Sequence, residues 1–399
     1  MTAFDRELSA RLEEIRRLGL YRELRRVDSA QGPRIQVGGR ELINFSSNDY
    51  LGLANHPALK EAAIRAVETF GAGAGASRLI CGSLAPLHEL EAALAVFKGT
   101  EAALTFSTGY AAAIGTIGAL LGKNDIIITD KLVHACIVDA AKLCRAKLRI
   151  FAHNDLDDLE HKLKWANQTR HSTLGTRNVL IVTESIFSMD GDAAPLREIV
   201  TLKEKYGAWL MVDEAHATGL YGPQRRGLAE QLGVSDRIEI QMGTLGKALG
   251  ASGGYICGGR FLVDLLVNRA RSFIFSTAPV PAAAAAARAG IQFVQSNEGE
   301  RRKQAVWDLA NLLEHSAAAA GIATAAPDSL IMPIIVGDET KAMTIAADLR
   351  ERGVFVPAIR YPTVARGSAR LRITLTAAHK PEDVATLVAT LALLVNRKS

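Results

Sequence analysis

The sequence predicts an α/β fold in which a mainly parallel sheet carries helices on both faces and precedes a smaller C-terminal α+β domain. From about residue 57, apolar segments of strand length alternate with segments of helical periodicity, as in a parallel sheet with helical connections. Beyond about residue 290 this alternation gives way to long helices and separated strands. The 399-residue chain also exceeds the size of one small core. We expect an N-terminal helical arm and hairpin over residues 1–55, a large α/β domain over 56–290 and a small α+β domain over 291–399.

The N-terminal region has the patterns of a helix followed by a hairpin. Leucine and isoleucine residues recur at helical spacing between charged residues across Phe4–Val27, which predicts an amphipathic helix. The segment Arg34–Asn44 reverses at Gly38 and Gly39, which is typical of a hairpin turn.

The large domain alternates strand and helix patterns, and the small domain has fewer strands. The predicted strands of the large domain are Ala102–Phe106, Asp125–Thr129, Leu148–Ala152, Val179–Thr183, Trp209–Asp213, Ile238–Met242 and Gly254–Cys257. The predicted helices between them include Leu87–Phe97, His134–Cys144, Leu156–Trp165 and Leu196–Tyr206. Further helices are predicted over Pro281–Ser296, Glu298–Ala319, Thr340–Arg352 and Pro381–Val395, and further strands over Leu330–Val336, Val354–Pro357 and Ala369–Thr376.

Composition excludes several classes of function. The net charge of +5 is spread along the chain, which suits anionic small molecules and argues against nucleic acid as a partner. The four cysteines lack the spacing of a metal site, so we expect reduced thiols in the cytoplasm and no bound metal. The charged N-terminus lacks the apolar region of a signal peptide, and no apolar run reaches membrane-spanning length, so we expect no membrane association.

The segment Thr244–Gly250, TLGKALG, places a lysine between glycines just after a predicted strand. A lone lysine is usually a surface charge, but here the glycines allow the backbone to turn sharply beside a strand end. A lysine that is removed from water loses proton affinity and becomes an amine able to form an imine. Lys247 is therefore the first candidate for chemistry.

A second candidate group follows the apolar strand that ends at Asp213. A carboxylate at a buried strand end is costly unless it is paired, and a protonated pyridine nitrogen would pair with it. A helix cap or a structural ion pair is the alternative. His216, three residues later, could hydrogen-bond a cofactor or be structural. Lysine, acid and imidazole at neighbouring strand ends are the groups that hold pyridoxal phosphate.

Three further patterns could contact a ligand. The segment Ser107–Ala112 follows a strand and opens a helix, so its backbone amides could hold a phosphate. His134 opens the next predicted helix, and its ring could stack on a cofactor. Arg370 and Arg372 alternate along a strand and face one side, which indicates either a bound carboxylate or a solvated face.

With these residues in view, the chain resembles the α-oxoamine synthases, which are pyridoxal-phosphate enzymes of fold type I. The resemblance covers nearly the whole chain. Its anchors are NFSSNDYLGL at 44–53, FSMDGD at 187–192, VDEAH at 212–216, TLGKALG at 244–250 and ARLRITLTAAH at 369–379. It implies decarboxylative condensation of L-alanine with pimeloyl-CoA, or with a pimeloyl carrier protein, in biotin synthesis. It also implies a homodimer with the active site at the interface.

The resemblance assigns roles to individual residues. Lys247 would bind the cofactor covalently and act as base and acid, Asp213 would pair with the pyridinium, and His134 would stack on the ring. The other expected cofactor contacts are Gly109, Tyr110, Ser188, His216, Thr244 and, from the other subunit, Ser276 and Thr277. The expected substrate contacts are Asn48 and Arg372 for the amino-acid carboxylate and Arg22 and Thr363 for the acyl group.

Three alternatives remain open at this point. Tyr361-Pro362 is closer to the branch of the family that uses glycine and acetyl-CoA, whereas Thr363 is closer to the branch that uses a pimeloyl thioester. An aminotransferase would use the same cofactor but would need no thioester. A non-catalytic nucleotide- or CoA-binding protein would keep Lys247 only for structure.

Overall fold

The computed structural model describes residues 1–170, 178–324 and 328–395. The strands in these ranges are β1 (Arg34–Val37), β2 (Arg40–Asn44), β3 (Ala102–Phe106), β4 (Ile126–Asp130), β5 (Lys147–Phe151), β6 (Val179–Glu184), β7 (Trp209–Asp213), β8 (Ile240–Thr244), β9 (Gly254–Gly258), β10 (Ile331–Gly337), β11 (Val354–Phe355), β12 (Ala358–Ile359) and β13 (Ala369–Thr374). The helices are α1 (Ala3–Arg17), α2 (Pro57–Phe70), α3 (Ala85–Lys98), α4 (Gly109–Leu120), α5 (Ala135–Leu143), α6 (Leu156–Arg170), α7 (Leu196–Lys205), α8 (Leu228–Gln231), α9 (Arg260–Arg269), α10 (Arg271–Ile274), α11 (Pro281–Gln295), α12 (Asn297–Ala319), α13 (Glu339–Glu351) and α14 (Pro381–Val395).

A seven-stranded sheet in the order β3-β9-β8-β7-β6-β4-β5 forms the centre of the large domain. Strand β9 is antiparallel to both of its neighbours, and the other pairings are parallel. Strands β3, β4, β6 and β9 are buried along their whole length, because helices cover both faces of the sheet. The predicted mainly parallel α/β fold is confirmed.

Polar residues terminate four neighbouring strands of this sheet. Asp130 ends β4, Glu184 ends β6, Asp213 ends β7 and Thr244 ends β8. The carboxyl ends of parallel strands meet at one edge, where ligands of such sheets bind. The fold therefore gathers these side chains at one edge of the sheet.

Two smaller sheets complete the described part of the chain, in the orders β1-β2-β11 and β10-β13-β12. The predicted hairpin is present, with Val37 opposite Arg40 across the turn. Its second strand also pairs in parallel with β11, so the hairpin shares a sheet with a strand of the C-terminal region. The domain limits at residues 55 and 290 stay a prediction.

The structure corrects several predicted limits. The N-terminal helix ends at Arg17 rather than Val27, because Gly19 adopts a φ of 69° and the carbonyls of Gly19 and Tyr21 accept hydrogen bonds from Arg360. The strand predicted at Ile238 begins at Ile240, since residues 235–237 form a turn of 3₁₀ helix.

The limits of the other predicted elements differ less from those in the structure. The strand predicted over Val354–Pro357 is present only as β11, Val354–Phe355, and β12, which begins just beyond the predicted range, belongs to a different sheet. Strands β4 and β5 and helix α13 lie within one residue of their predicted limits. Within the described ranges, no helix is both long and apolar enough to cross a bilayer.

Candidate active site

A cavity of about 180 Å³ opens at the carboxyl edge of the central sheet. Its lining combines strand ends, the start of α4 and the residues around α5. The lining residues are Gly109, Tyr110, His134, Cys136, Glu184, Asp213, Ala215, His216, Met242, Gly243, Thr244 and Lys247. The cavity thus brings together most of the cofactor contacts expected from the sequence.

Lys247 supplies the amine of this cavity. The turn after β8 is closed by a hydrogen bond from the Leu245 amide to the Gly253 carbonyl, and Gly250 adopts a φ of 67°. A Cβ at Gly250 would lie 2.5 Å from the Leu53 side chain, so glycine is needed where the turn packs against the chain. Burial lowers the pKa of Lys247 to about 8. About a tenth of this amine is therefore uncharged at pH 7, and about half at pH 8.

Two buried carboxylates face the amine from adjacent strands. Asp213 and Glu184 are direct partners in the register of β6 and β7. The Asp213 Oδ1 atom accepts a hydrogen bond of 2.9 Å from the Ala215 amide, and burial raises the pKa of Asp213. No cation lies within ion-pair distance of Asp213 among the described residues. Asp213 can therefore pair with a cationic group that enters the cavity.

Glu184 is a site residue that the sequence analysis missed. One of its oxygens accepts a hydrogen bond of 2.5 Å from the His134 amide, and the other accepts one of 3.1 Å from the Ser188 amide. Burial, and then the nearby Asp213 carboxylate, raise its pKa to about 8. Its position directly after an apolar strand, like that of Asp213, was the signal that could have identified it. Glu184 ties together two segments that carry expected cofactor contacts.

His216 lies between Lys247 and Tyr50. Its Nε2 atom is 2.7 Å from Lys247 Nζ, and its Nδ1 atom is 2.6 Å from the Tyr50 hydroxyl. Burial, with a contribution from the positive charge of Lys247, lowers the pKa of His216 well below its usual value. The imidazole is therefore neutral. Tyr50 is the second contact that the sequence analysis missed.

His134 caps the start of α5 and is held by its neighbour Cys136. Its Nδ1 atom accepts a 3.3 Å hydrogen bond from the Cys136 amide and lies 3.0 Å from the Cys136 sulfur. An acceptor at Nδ1 leaves the proton of a neutral imidazole on Nε2. Burial lowers the pKa of His134, which favours this neutral form.

Arg372 and Asn48 lie together beside the loop that carries Ser188. The Arg372 guanidinium donates to the Ser188 carbonyl at 2.6 Å and to Asn48 Oδ1 at 3.2 Å. Arg370, two residues earlier, forms an ion pair with Asp190. Both arginines are only 7% exposed, so the alternative of a solvated face is wrong. Arg372 has no carboxylate partner in the described part of the chain, which leaves it available to one.

Of the remaining expected contacts, Arg22, Thr363, Ser276 and Thr277 lie outside the central cavity, whereas Thr244 lines it. Arg22 and Thr363 line the same separate cavity of about 510 Å³ between the N-terminal segment and the small domain. Ser276 and Thr277 line a small cavity with Ser107. Thr244 lines the central cavity, and its hydroxyl donates to the Gly253 carbonyl at 3.0 Å.

The ion-paired histidine His153 joins the end of β4 to the loop that contains Ser188. His153 Nδ1 lies 3.0 Å from Asp130, and its Nε2 lies 2.7 Å from Asp192. Burial alone would lower the pKa of His153, but the hydrogen bonds to both carboxylates outweigh it and raise the pKa to about 10. The imidazolium therefore links the end of β4 to the loop that contains Ser188.

Replacing His153 with glutamine is expected to destabilise the fold in a pH-dependent way. A histidine whose pKa is raised on folding stabilises the folded state fully below its unfolded pKa, near 6.5, and this stabilisation is lost as pH rises through about 10. Urea denaturation at pH 6 should give a loss of about 1–3 kcal/mol, and the difference should shrink by pH 10. The exposed histidine His161, changed to glutamine, serves as the control. A loss that is equal at pH 6 and pH 10 would contradict the ionic role.

The residues at the cavity fit pyridoxal phosphate. The cofactor needs an amine, a carboxylate for its ring nitrogen and donors for its phosphate. Lys247 is an amine of lowered pKa, and Asp213 is a buried carboxylate with no cation within ion-pair distance in the described part of the chain. Gly109 and Tyr110, at the start of α4, line the cavity, and a helix start has the free backbone amides that a phosphate needs. A Cβ at Gly254 would lie 2.5 Å from the Gly109 amide nitrogen, so the sheet edge and this helix start are in close contact.

The aminotransferase class I and II family profile matches residues 40–391 of the chain. The chain is 48% identical to a protein of Geobacter sulfurreducens named 8-amino-7-oxononanoate synthase, over 97% of each chain. It is 49% identical to a protein of the same name from an Anaeromyxobacter strain, over 97% of this chain and 95% of the relative.

Solved structures agree with this relationship. Serine palmitoyltransferase of Sphingomonas wittichii superimposes with a TM-score of 0.89 at 30% identity, over 98% of this chain and 97% of the other. The 8-amino-7-oxononanoate synthase of Francisella tularensis gives a TM-score of 0.74 at 25% identity, over 89% and 98% of the two chains. The extent of the profile match and the full-length identities lead to one conclusion: the chain belongs to the aminotransferase class I and II family of enzymes.

Proposed function

We propose that this enzyme catalyses the pyridoxal-phosphate-dependent condensation of L-alanine with a pimeloyl thioester, which gives 8-amino-7-oxononanoate, carbon dioxide and the free thiol. The thiol carrier would be CoA or a carrier protein. The observation that carries the proposal is the amine of Lys247, which lines a cavity with Asp213 and bonds to the neutral imidazole of His216 at 2.7 Å. The names of the relatives that are 48–49% identical over nearly the whole chain support the choice of substrates.

The bound cofactor supplies an electron sink for the carbanion at the amino-acid Cα. Asp213 would keep the ring nitrogen of the cofactor protonated, because a buried carboxylate stabilises a cation in contact with it. Lys247 would hold the cofactor and would take and return the Cα proton, since an amine with a pKa of about 8 exchanges protons readily near neutral pH. His216 and Ser188 would hydrogen-bond the phenolic oxygen of the cofactor, and His134 would cover its ring.

The acyl group is assigned to the cavity that holds Arg22 and Thr363. Its volume of about 510 Å³ and its mixed lining, with Ile359 and Val356 beside Arg22 and Arg350, suit a long chain with a terminal carboxylate. Acetyl-CoA would fill little of this space with its acyl group. The names of the relatives, rather than the volume of this cavity, favour the pimeloyl thioester over the alternative pair of glycine and acetyl-CoA.

We also propose a homodimer in which Ser276 and Thr277 reach the phosphate of the partner's site. An isolated antiparallel β-bridge between Ser77 and Thr277 brings together two segments of the chain, the one that follows Ser77 and the one that precedes Thr277. Leu79 and Ile80 on one segment and Phe275 on the other are 51%, 79% and 70% exposed. An apolar surface of this kind favours association. The four cysteines are free thiols, which fits the cytoplasmic location that we propose.

Replacing Arg372 with glutamine is expected to raise KM for L-alanine by about 10- to 100-fold, because a charge-assisted bond to the carboxylate is lost. KM for the acyl thioester should change much less. Initial rates with each substrate varied in turn measure this difference. The exposed Arg301, changed to glutamine, is the control. An unchanged KM for alanine would remove Arg372 from the carboxylate site.

The function is tested by a comparison of acyl donors. Purified enzyme is supplied with L-alanine and pimeloyl-CoA, with glycine and acetyl-CoA, and with each amino acid alone, and product masses are measured. We expect 8-amino-7-oxononanoate and free CoA from the first mixture at a far higher rate than any product from the second. Faster turnover of glycine and acetyl-CoA would replace the proposal with that activity. Release of a keto acid without a thioester would indicate an aminotransferase.

A further inference from the structure

Arg78 is a buried arginine outside the central cavity, in a loop over residues 76–83 that we call the arginine loop. Its guanidinium donates to both oxygens of the Glu91 carboxylate, at 2.8 and 2.9 Å, and the two side chains are 6% and 11% exposed. Its Nε atom donates to the Ser83 hydroxyl at 2.9 Å. Glu91, on α3, also accepts a 3.0 Å hydrogen bond from the Thr105 amide on β3. The ion pair therefore joins the arginine loop to a helix and to the edge strand of the central sheet.

A buried ion pair of this geometry fixes an orientation more than it adds stability. Removal of two charges from water offsets much of their attraction, so such a pair is a weak source of stability. Two parallel hydrogen bonds from a planar guanidinium nevertheless favour one relative orientation of the two side chains. A lysine, which carries a compact charge, would keep the attraction and lose this orientation.

The arginine loop is closed on itself. The Gly82 amide donates to the Ser77 carbonyl at 3.0 Å, and so does the Ile80 amide at 3.2 Å. A Cβ at Gly82 would overlap the Ala76 carbonyl, so the two ends of the loop are in close contact. A side chain that fixes one part of this loop therefore fixes the loop as a unit.

The arginine loop holds the segment that contains Ser276 and Thr277. Ser77 forms the β-bridge with Thr277, and the Ala76 carbonyl accepts a 3.0 Å hydrogen bond from the Ala278 amide. The backbone of this segment is therefore tied to the arginine loop at two successive residues.

Side-chain contacts join Arg78 to the same segment. Its guanidinium lies 5.6 Å from the centre of the Phe273 ring. Arg78, Ser276 and Thr277 also line one small cavity, together with Ser107. The arginine thus reaches the segment both through the loop backbone and through its own side chain.

We propose that Arg78 is a positioning residue that orients Ser276 and Thr277 toward the phosphate of the cofactor in the partner subunit. Its bidentate pair with Glu91 fixes the arginine loop, and the loop fixes the backbone of the segment. The inference rests on the proposed function, because it takes both the cofactor and the homodimer from there. We assign Arg78 itself no contact with the cofactor.

Arg78→Lys tests the proposal, because lysine keeps a positive charge beside Glu91 and loses the two parallel hydrogen bonds. Full-length apoenzyme is titrated with pyridoxal phosphate and, separately, with pyridoxal, which lacks the phosphate. The measured quantity is the ratio of Kd for pyridoxal to Kd for pyridoxal phosphate. We expect this ratio to fall about tenfold in Arg78→Lys, since hydrogen bonds to a phosphate are charge-assisted. A general loss of structure would weaken both ligands together, so a ratio equal to the parent's would overturn the proposal.

Arg225→Lys is the matched control. Arg225 is also buried and also forms an ion pair, with Glu300. Neither residue belongs to the arginine loop or to the segment that the loop holds. We expect the parent's ratio in this variant. A fall as large as that of Arg78→Lys would mean that the effect is not specific to the arginine loop, which would overturn the proposal.

The paired substitution Arg78→Met with Glu91→Gln is a second test that leaves no buried charge unpaired. Loss of the arginine alone would leave the Glu91 carboxylate buried without a cation, which destabilises a fold strongly. The Glu91→Gln change removes that charge and keeps an oxygen that can accept from the Thr105 amide. We expect the ratio to fall as in Arg78→Lys. A double variant that keeps the parent's ratio would contradict the positioning role.

Hybrid dimers of two differently tagged chains test whether Arg78 acts on the partner's site. Lys247→Ala in one subunit leaves a single covalent site in the dimer, and the absorbance of the imine reports only that site. When Arg78→Lys and Lys247→Ala share a subunit, the remaining site receives its phosphate contacts from the variant, and the ratio should fall. When they are in different subunits, the ratio should equal the parent's. The reverse pattern would show that Arg78 acts within its own subunit and would overturn the proposal.

These titrations separate the inference from the function on which it rests. They contain no amino acid and no thioester, so their outcome does not depend on the substrates of the enzyme. A parent that forms no covalent adduct with pyridoxal phosphate would refute the proposed function. A parent that forms the adduct, with variants that keep its ratio, would refute only the role of Arg78.

Discussion

Lys247→Ala is expected to reduce condensation by at least about a thousandfold and to abolish covalent attachment of the cofactor. Lys247 is the one amine among the residues that line the cavity, burial lowers its pKa, and no carboxylate lies within ion-pair distance of it in the described structure. Loss of a group that transfers a proton in the rate-determining step costs about 10²–10⁴ in rate, and loss of covalent attachment adds to this. The expected loss exceeds that of any other single substitution in the cavity.

Two measurements check this expectation. Borohydride reduction of the parent should fix the cofactor to the peptide that contains Lys247, which mass spectrometry detects, and the variant should show no adduct there. Lys131→Ala, an exposed lysine that follows β4, is the control and should keep the parent's rate and adduct. Turnover by Lys247→Ala at the parent's rate would refute the role of Lys247 and, with it, the proposed function.

Lys247, Asp213 and His216 could be found from sequence because each stands at the end of an apolar strand or in the turn after it. Strand periodicity fixes where such residues emerge from a parallel sheet, and the carboxyl ends of the strands share one edge. The polar residue types then stand out against the apolar segments that precede them. The fold class and the position of the cavity follow from this pattern alone.

Tyr50 and Glu184 were missed for different physical reasons. Tyr50 contacts His216 across 166 residues of sequence, and periodicity carries no information about contacts between separate segments. Glu184 ends a strand as Asp213 does, but its oxygens accept from backbone amides, which every residue type except proline supplies. The strand-end position of Glu184 is thus visible in the sequence, but its backbone partners are not, and these partners show that Glu184 organises the site.

The predicted limits of secondary-structure elements were wrong where contacts between distant segments replaced local hydrogen bonds. The N-terminal segment keeps helical spacing beyond Arg17, yet its carbonyls at Gly19 and Tyr21 accept from Arg360, which lies about 340 residues later. An arginine that satisfies these carbonyls removes the need for helical hydrogen bonds there. The prediction overlooked a partner that only the folded chain provides.

The second large effect is expected from the buried ion pair of Lys98 and Glu214. Lys98 Nζ donates to Glu214 Oε2 and to the Arg226 carbonyl, each at 2.5 Å, and both side chains are 1% exposed. Burial alone would lower the pKa of Lys98, but the charge of Glu214 outweighs it and raises the pKa. Glu214 also accepts from the Ala229 amide at 2.8 Å and directly follows Asp213. The pair therefore fixes the segment that carries Asp213 and His216.

Lys98→Met should lower the free energy of unfolding by about 3–5 kcal/mol, because it leaves the Glu214 carboxylate buried without a cation. Urea denaturation with saturating cofactor measures the loss. Lys164→Met removes a lysine from an exposed pair with Glu160 and should change the stability by no more than about 0.5 kcal/mol. A loss of under about 1 kcal/mol for Lys98→Met would mean that water or rearranged groups solvate Glu214.

The double variant Lys98→Met with Glu214→Gln separates the charge from the packing. Neutralising the orphaned carboxylate should recover a large part of the stability lost in Lys98→Met, because the penalty arises from an unpaired buried charge rather than from lost lysine contacts. Cofactor affinity should recover in parallel, since the backbone that positions Asp213 is restored with the fold. If stability returns while affinity does not, then the charge of Glu214 itself acts on the neighbouring Asp213, and the ion pair contributes to the electrostatics of the site as well as to its rigidity.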